Sequence, residues 1–171
     1  MNDTYFNFGG GLVPAHKHTK GGGWVADTAR VSDDAMVFGN ARVYENAVVS
    51  GNARVYDDAW VFGNAQVSGD AVVSSNAVVY GNARVSGNAW VSGDAQVSEN
   101  AVVSDDARVS GNAWVYENAV VYENAWVSGN AQVSGNDRVF STITTPNINT
   151  SYKGKLVVID GVSYRLTESK E

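Results

Sequence analysis

The sequence predicts an all-β protein, a single-stranded parallel β-helix of three sides and about six coils, and three observations point there. A six-residue unit runs without a gap from Ala29 to Thr142. Its first place is alanine in every unit but the last, where Asp137 stands, and its third place is always valine. Its last two places are turn formers, chiefly Gly-Asn, Glu-Asn or Asp-Asp.

Alanine and valine two residues apart put both side chains on one face of an extended segment, with the residue between them turned outward. The polar pair that follows ends the strand, and its recurrence every six residues excludes a helix. Each unit is therefore a short strand and a corner. One coil of three units buries too little to offset the ordering of eighteen residues at about 1 kcal/mol each, so coils must pair edge to edge with those above and below. Residues eighteen apart then stack, and at roughly 4.8 Å between strands the prism is about 30 Å long. Corner residues such as Asn46, Asn64, Asn82, Asn100, Asn118 and Asn136 fall into one column, where side-chain amides can hydrogen-bond up the stack.

The chain divides into an amino-terminal cap segment (1–23), the repeat body (24–142) and a tail (143–171). In the cap, Tyr5, Phe6, Phe8, Leu12 and Val13 can cover the open end of the core, with Gly9–Gly11 and Gly21–Gly23 allowing chain reversals. In the tail, Lys155–Ile159 and Val162–Leu166 flank Asp160-Gly161, the pattern of a β-hairpin with a two-residue turn.

The chain has no cysteine, so neither disulfides nor thiolate chemistry is available. No stretch approaches a membrane span, and the amino terminus lacks the basic and apolar regions of a signal peptide; a cytoplasmic protein is expected. All six basic residues between Trp24 and Thr142 are arginines, against fourteen acidic ones, so the body carries about −8 and nucleic-acid binding along it is not expected.

Read from valine, units such as V-S-G-N-A-R resemble the hexapeptide repeat of the left-handed β-helix superfamily, which includes many trimeric bacterial acyltransferases. The resemblance implies a left-handed coil and a homotrimer. The stretch G-G-G-L-V-P-A-H-K-H-T-K-G-G-G-W-V-A-D-T-A resembles the leader before similar repeats in bacterial and phage-encoded proteins, which implies a virion or an infected cell as a setting.

A period of eighteen sorts the outward residues onto three sides. The first carries Ser32, Ser50, Ser68, Ser86 and Ser104. The second carries Met36, Phe38, Arg54, Tyr56, Val72, Trp90, Arg108 and Trp126. The third is the aromatic one, with Trp24, Tyr44, Trp60, Phe62, Tyr80, Trp114 and Tyr116, interrupted by Gln96 and Ser98. Such a column either stacks upon itself or enters an interface with a second copy, a host or phage protein, or a sugar.

Acyltransferases of the resembled superfamily place a histidine base on a coil, and carbonic anhydrases of that fold need three zinc-binding histidines. This chain has only His16 and His18, both outside the coils, so no catalytic residue and no cofactor is identified. His16-Lys17-His18 could chelate one metal from an extended segment. Three readings stay open: a structural or interaction solenoid, an unusual acyltransferase using His16 or His18, and a phage binder of a small ligand or host protein acting against host defence.

Overall fold

Alternating small and branched residues fold into a parallel β-solenoid of about six turns. The computed structural model describes residues 4–32, 34–142, 156–159 and 162–165. A two-residue strand forms at the second and third places of successive units, as at Arg42–Val43, Val48–Val49 and Arg54–Val55. Every parallel pair in the body joins residues eighteen apart, for example Val72 with Trp90 and Val78 with Gln96. Three sheets of nine, seven and six strands result, one on each side of the prism.

The core is what the alternation requires. Every first-place alanine from Ala35 to Ala125 and every third-place valine from Val37 to Val127 is 0% exposed. Along each edge the second-place N–H donates to the first-place carbonyl of the next coil, as Arg30 does to Ala47 at 2.9 Å. The fourth place donates likewise to a valine carbonyl, as from Ser32 to Val49, and the sixth to a corner carbonyl, as from Asn46 to Gly63. At the solenoid's far end Asp137 occupies an alanine slot and is buried, its carbonyl still accepting from the Val120 N–H.

The corner turns on one dihedral. Every fifth-place residue from Gly39 to Gly135 has a positive φ, between 58° and 75°. Seven of these are not glycine: Glu45, Asp57, Ser75, Glu99, Asp105, Glu117 and Glu123, at φ 58–60°. A side chain in this region costs about 1–2 kcal/mol. Three of the acids recover part of it, because the carboxylates of Asp57, Asp105 and Glu117 accept the backbone N–H of Ser75, Glu123 and Gly135 one coil on. The sixth-place column from Asn46 to Asn136 is hydrogen-bonded throughout, amide to amide, at 3.2–3.3 Å.

At the amino-terminal end, strands β1 (Tyr5–Asn7) and β2 (Leu12–Lys17) form an antiparallel hairpin. Strand β2 pairs antiparallel with β3 (Trp24–Ala26), the first strand of the aromatic side, so the hairpin extends that sheet alone. The glycine triplet between them crosses the second side at close range, with the Gly23 N–H 2.9 Å from the Val37 carbonyl. A Cβ on Gly21 would stand 2.2 Å from Cβ of Phe38, and one on Gly23 2.7 Å from a Val37 methyl. Gly21 and Gly23 are thus needed for close approach as much as for reversal. In the tail, Leu156–Ile159 and Val162–Arg165 pair antiparallel; the expected turn at Asp160-Gly161, with Lys155 and Leu166, lies outside the described residues.

Two glycines separate the dihedral cost from the crowding cost. Gly111 and Gly135 share φ 68°, but a Cβ on Gly111 would meet Gly129 backbone atoms at 2.9 Å, whereas one on Gly135 would meet only a Glu117 carboxylate oxygen at 3.7 Å. In urea unfolding, Gly111→Ala should lose about 2 kcal/mol or more, and Gly135→Ala about 1 kcal/mol. Equal losses would show that stacking of the corner backbones adds nothing.

Candidate functional site

On the aromatic side the rings first satisfy one another. Stacking runs from Phe8 to Tyr44 (4.9 Å between centroids), Tyr44 to Phe62 (4.8 Å) and Phe62 to Tyr80 (5.3 Å), all at the fourth place except Phe8, which the hairpin supplies. A parallel column at the second place stacks Phe6 on Trp24 at 4.3 Å. The Arg42 guanidinium lies between the Phe6 and Trp60 rings, 5.4 and 4.7 Å from their centroids. Trp60 also meets Tyr44 edge-on. Trp24, Tyr44, Trp60, Phe62 and Tyr80 are thereby brought together and left half-buried.

Trp114 and Tyr116 stand apart from that column. They contact each other edge-on at 6.4 Å, and Gln96 and Ser98 intervene, with Ser98 buried. Trp114 is 45% exposed. On the second side Trp90 and Trp126 are 43% and 45% exposed, in register with Arg108 between them. Each indole N–H donates to a serine hydroxyl one coil back, Trp90 to Ser74 and Trp126 to Ser110, which fixes the ring. Clefts of about 320 and 190 Å³ flank Arg108 and Trp126. Ranking sides by ring count points to the third side and passes over Trp90 and Trp126. The signal for them was present in the small serines beside them, which leave a ring uncovered where Tyr or Phe would cover it.

His16 and His18 take different partners. Nδ1 of His16 stands 2.9 Å from Oδ1 of Asp27, both exposed, while His18 is buried with Nδ1 3.4 Å from the Lys20 carbonyl. Among the described residues no three His, Cys, Asp or Glu side chains are grouped to hold a metal. A carboxylate beside an imidazole is the arrangement that orients a general base, but it defines no reaction without a nucleophile and a substrate. Asp27 also lines a cavity of about 390 Å³ between the hairpin and the first corner of the aromatic side, with Phe8, Val13, Pro14, Tyr44 and Glu45. Burial, and then the Glu45 carboxylate, push the Tyr44 hydroxyl up from 10.0 to about 12.

These features define a β-solenoid repeat protein whose side chains of interest stand on flat sides and at one end. The repeat is similar to a family described as the YdcK beta solenoid repeat, whose model matches residues 29–45, 37–51, 47–63, 65–81, 79–93, 103–117 and 107–123, together just under half of the chain. No curated protein matches the chain significantly. Among the described residues no helix is long and apolar enough to cross a membrane.

The Tyr44 shift makes stability depend on pH in the alkaline range. A phenol whose pKa rises on folding contributes stability that is complete below pH 10 and is lost as pH climbs through about 12. Tyr44→Phe should remove that part of the alkaline loss, seen as a flatter stability curve over this window. Identical slopes for the two proteins, or a tyrosinate titration complete near pH 10, would contradict the assignment.

Proposed function

We propose that the protein is a non-catalytic interaction solenoid that assembles with copies of itself through the tryptophans of its later coils. The observation that carries this reading is the contrast within the coils: the aromatics of the early coils are half-buried against one another, whereas Trp90, Trp114 and Trp126 remain more than two-fifths exposed. Large rings left in water are costly and are the residues that most often anchor interfaces.

Placement and charge favour a second copy as the occupant. Trp90, Arg108 and Trp126 stand on the second side; Trp114 stands on the third, with Glu99 and Glu117 at that side's corners. Among the described residues Arg108 has no ion-pair partner within the chain. Packing the second side of one copy on the third side of the next buries tryptophan against tryptophan and sets Arg108 against carboxylates. Because the two surfaces differ, the contact is heterologous, and a rotation of one third of a turn between copies closes it into a ring. The resemblance to trimeric left-handed β-helices supports three copies. A setting in an infected cell rests on the leader resemblance alone, and the proposal does not need it.

Light scattering on the intact protein tests the assembly. The wild type should have three times the mass of one chain, and Trp114→Glu or Arg108→Glu should fall to the single-chain mass with an unchanged far-ultraviolet spectrum. Adding Glu99→Arg and Glu117→Arg to Arg108→Glu should restore part of the assembly. A wild type of single-chain mass, or variants of unaltered mass, would remove the proposal.

A further inference from the structure

The clefts on the repeat are shallow and lie on its flat sides, so a cavity walled by the hairpin at the amino-terminal end needs its own account. One wall is the hairpin loop, held by Asn7, whose side-chain oxygen accepts the Gly9 and Gly11 N–H groups at 2.8 and 3.1 Å. The opposite wall is the first corner, tied to the hairpin by the Asp27 N–H donating to the Pro14 carbonyl at 3.0 Å. The lining is thus set by hydrogen bonds on both sides, as a preformed site requires. Its inner surface is apolar, from Phe8, Val13, Pro14 and the Tyr44 ring, and Phe8 is 5% exposed. Its polar groups are two carboxylates, Asp27 and Glu45, with the Tyr44 and Thr28 hydroxyls.

Among the described residues, the basic side chains near it are engaged elsewhere. His16 is held on Asp27 from outside the lining, and Arg42 is engaged between Phe6 and Trp60. Lys17 stands over the Trp24 ring, and Lys20 pairs with Asp34. Among the described residues no basic side chain lines the cavity, and its two carboxylates give it a negative field over an apolar floor. An anion would meet two carboxylates, and a neutral apolar molecule would make no use of them.

We propose that this cavity binds a small organic cation, an ammonium group on an apolar or aromatic body. The ammonium sits at the rim between the Asp27 and Glu45 carboxylates, and the apolar body covers the Phe8, Val13 and Pro14 floor. The rim carboxylates are exposed, so the charge contributes selectivity over modest affinity. The same chemistry is presented by a free amine and by a lysine side chain of another protein. This site shares no residue with the tryptophan surface proposed for assembly, and either can fail alone.

Calorimetric titration of the full-length protein with three probes of similar shape decides the matter: phenethylammonium, 2-phenylethanol and 3-phenylpropionate. Phenethylammonium should bind saturably and at least tenfold more tightly than the alcohol, with no heat from the carboxylate. Glu45→Gln should weaken it about fivefold. Asp27→Asn, which also alters the His16 contact, should do the same, with both variants keeping the wild-type far-ultraviolet spectrum. A peptide with an internal lysine binding more tightly than phenethylammonium assigns the ammonium to a protein side chain, and weaker binding assigns it to a free amine. Equal binding of amine and alcohol, no saturable heat from any probe, or an unaltered affinity in both variants would overturn the proposal.

Discussion

The corner residue held at positive φ in each hexad is the constraint from which the remaining architecture follows. It turns the chain within two residues, so that a strand of only two residues can serve each side. It also aims the fifth-place carbonyl along the prism, where the sixth-place N–H of the preceding coil meets it, as Gly63 meets Asn46. Fixed bends of constant length leave alanine and valine as the only inward positions. The core is therefore one small and one branched residue, repeated. Glutamate or aspartate tolerates the bend at some corners because its carboxylate reaches the N–H of the next coil, so backbone strain and side-chain capping offset each other locally.

What the sequence made legible is what repeats. Strand positions, the buried Ala and Val columns, the pairing interval and the hydrogen-bonded asparagine column all follow from a period that any one coil announces and nineteen units reinforce. Phe6 and Phe8 are the instructive counter-example. Their place at the head of the aromatic columns depends on β2 pairing antiparallel with β3, a single register between segments without periodicity. Nothing in residues 4–23 taken alone distinguishes rings that cover a core from rings that continue a ladder. The cavity was hidden for the same reason, since its walls meet only after that register is set.

Exposure of an aromatic residue on such a surface is decided by its neighbours more than by itself. Trp60 and Trp90 occupy equivalent second places, yet Trp60 is flanked by Tyr44 and Phe62 while Trp90 is flanked by Ser74 and Ser92. The first ring is half-buried against the Tyr44 edge and the Arg42 guanidinium, and the second is held by one hydrogen bond and is 43% exposed. A period-eighteen table contains this information, but only when read across columns as well as along them. So read, the later coils carry a surface that differs in kind from the ladder above them.

A solenoid also constrains where function can reside. Its interior is filled by the same alanine and valine pair in every unit but the last, and its sides are flat sheets whose relief is one side chain deep, which suits broad contacts and shallow clefts such as those beside Arg108. A concavity with two independent walls must come from a place where the repetition stops. The described chain meets that condition where the hairpin leaves the aromatic sheet. There the loop at Gly9–Gly11 overhangs a corner whose acid, Glu45, is placed by the repeat, while Asp27 is placed by the junction. The periodic body thus supplies the acidic corner, and the non-periodic hairpin supplies the apolar wall facing it.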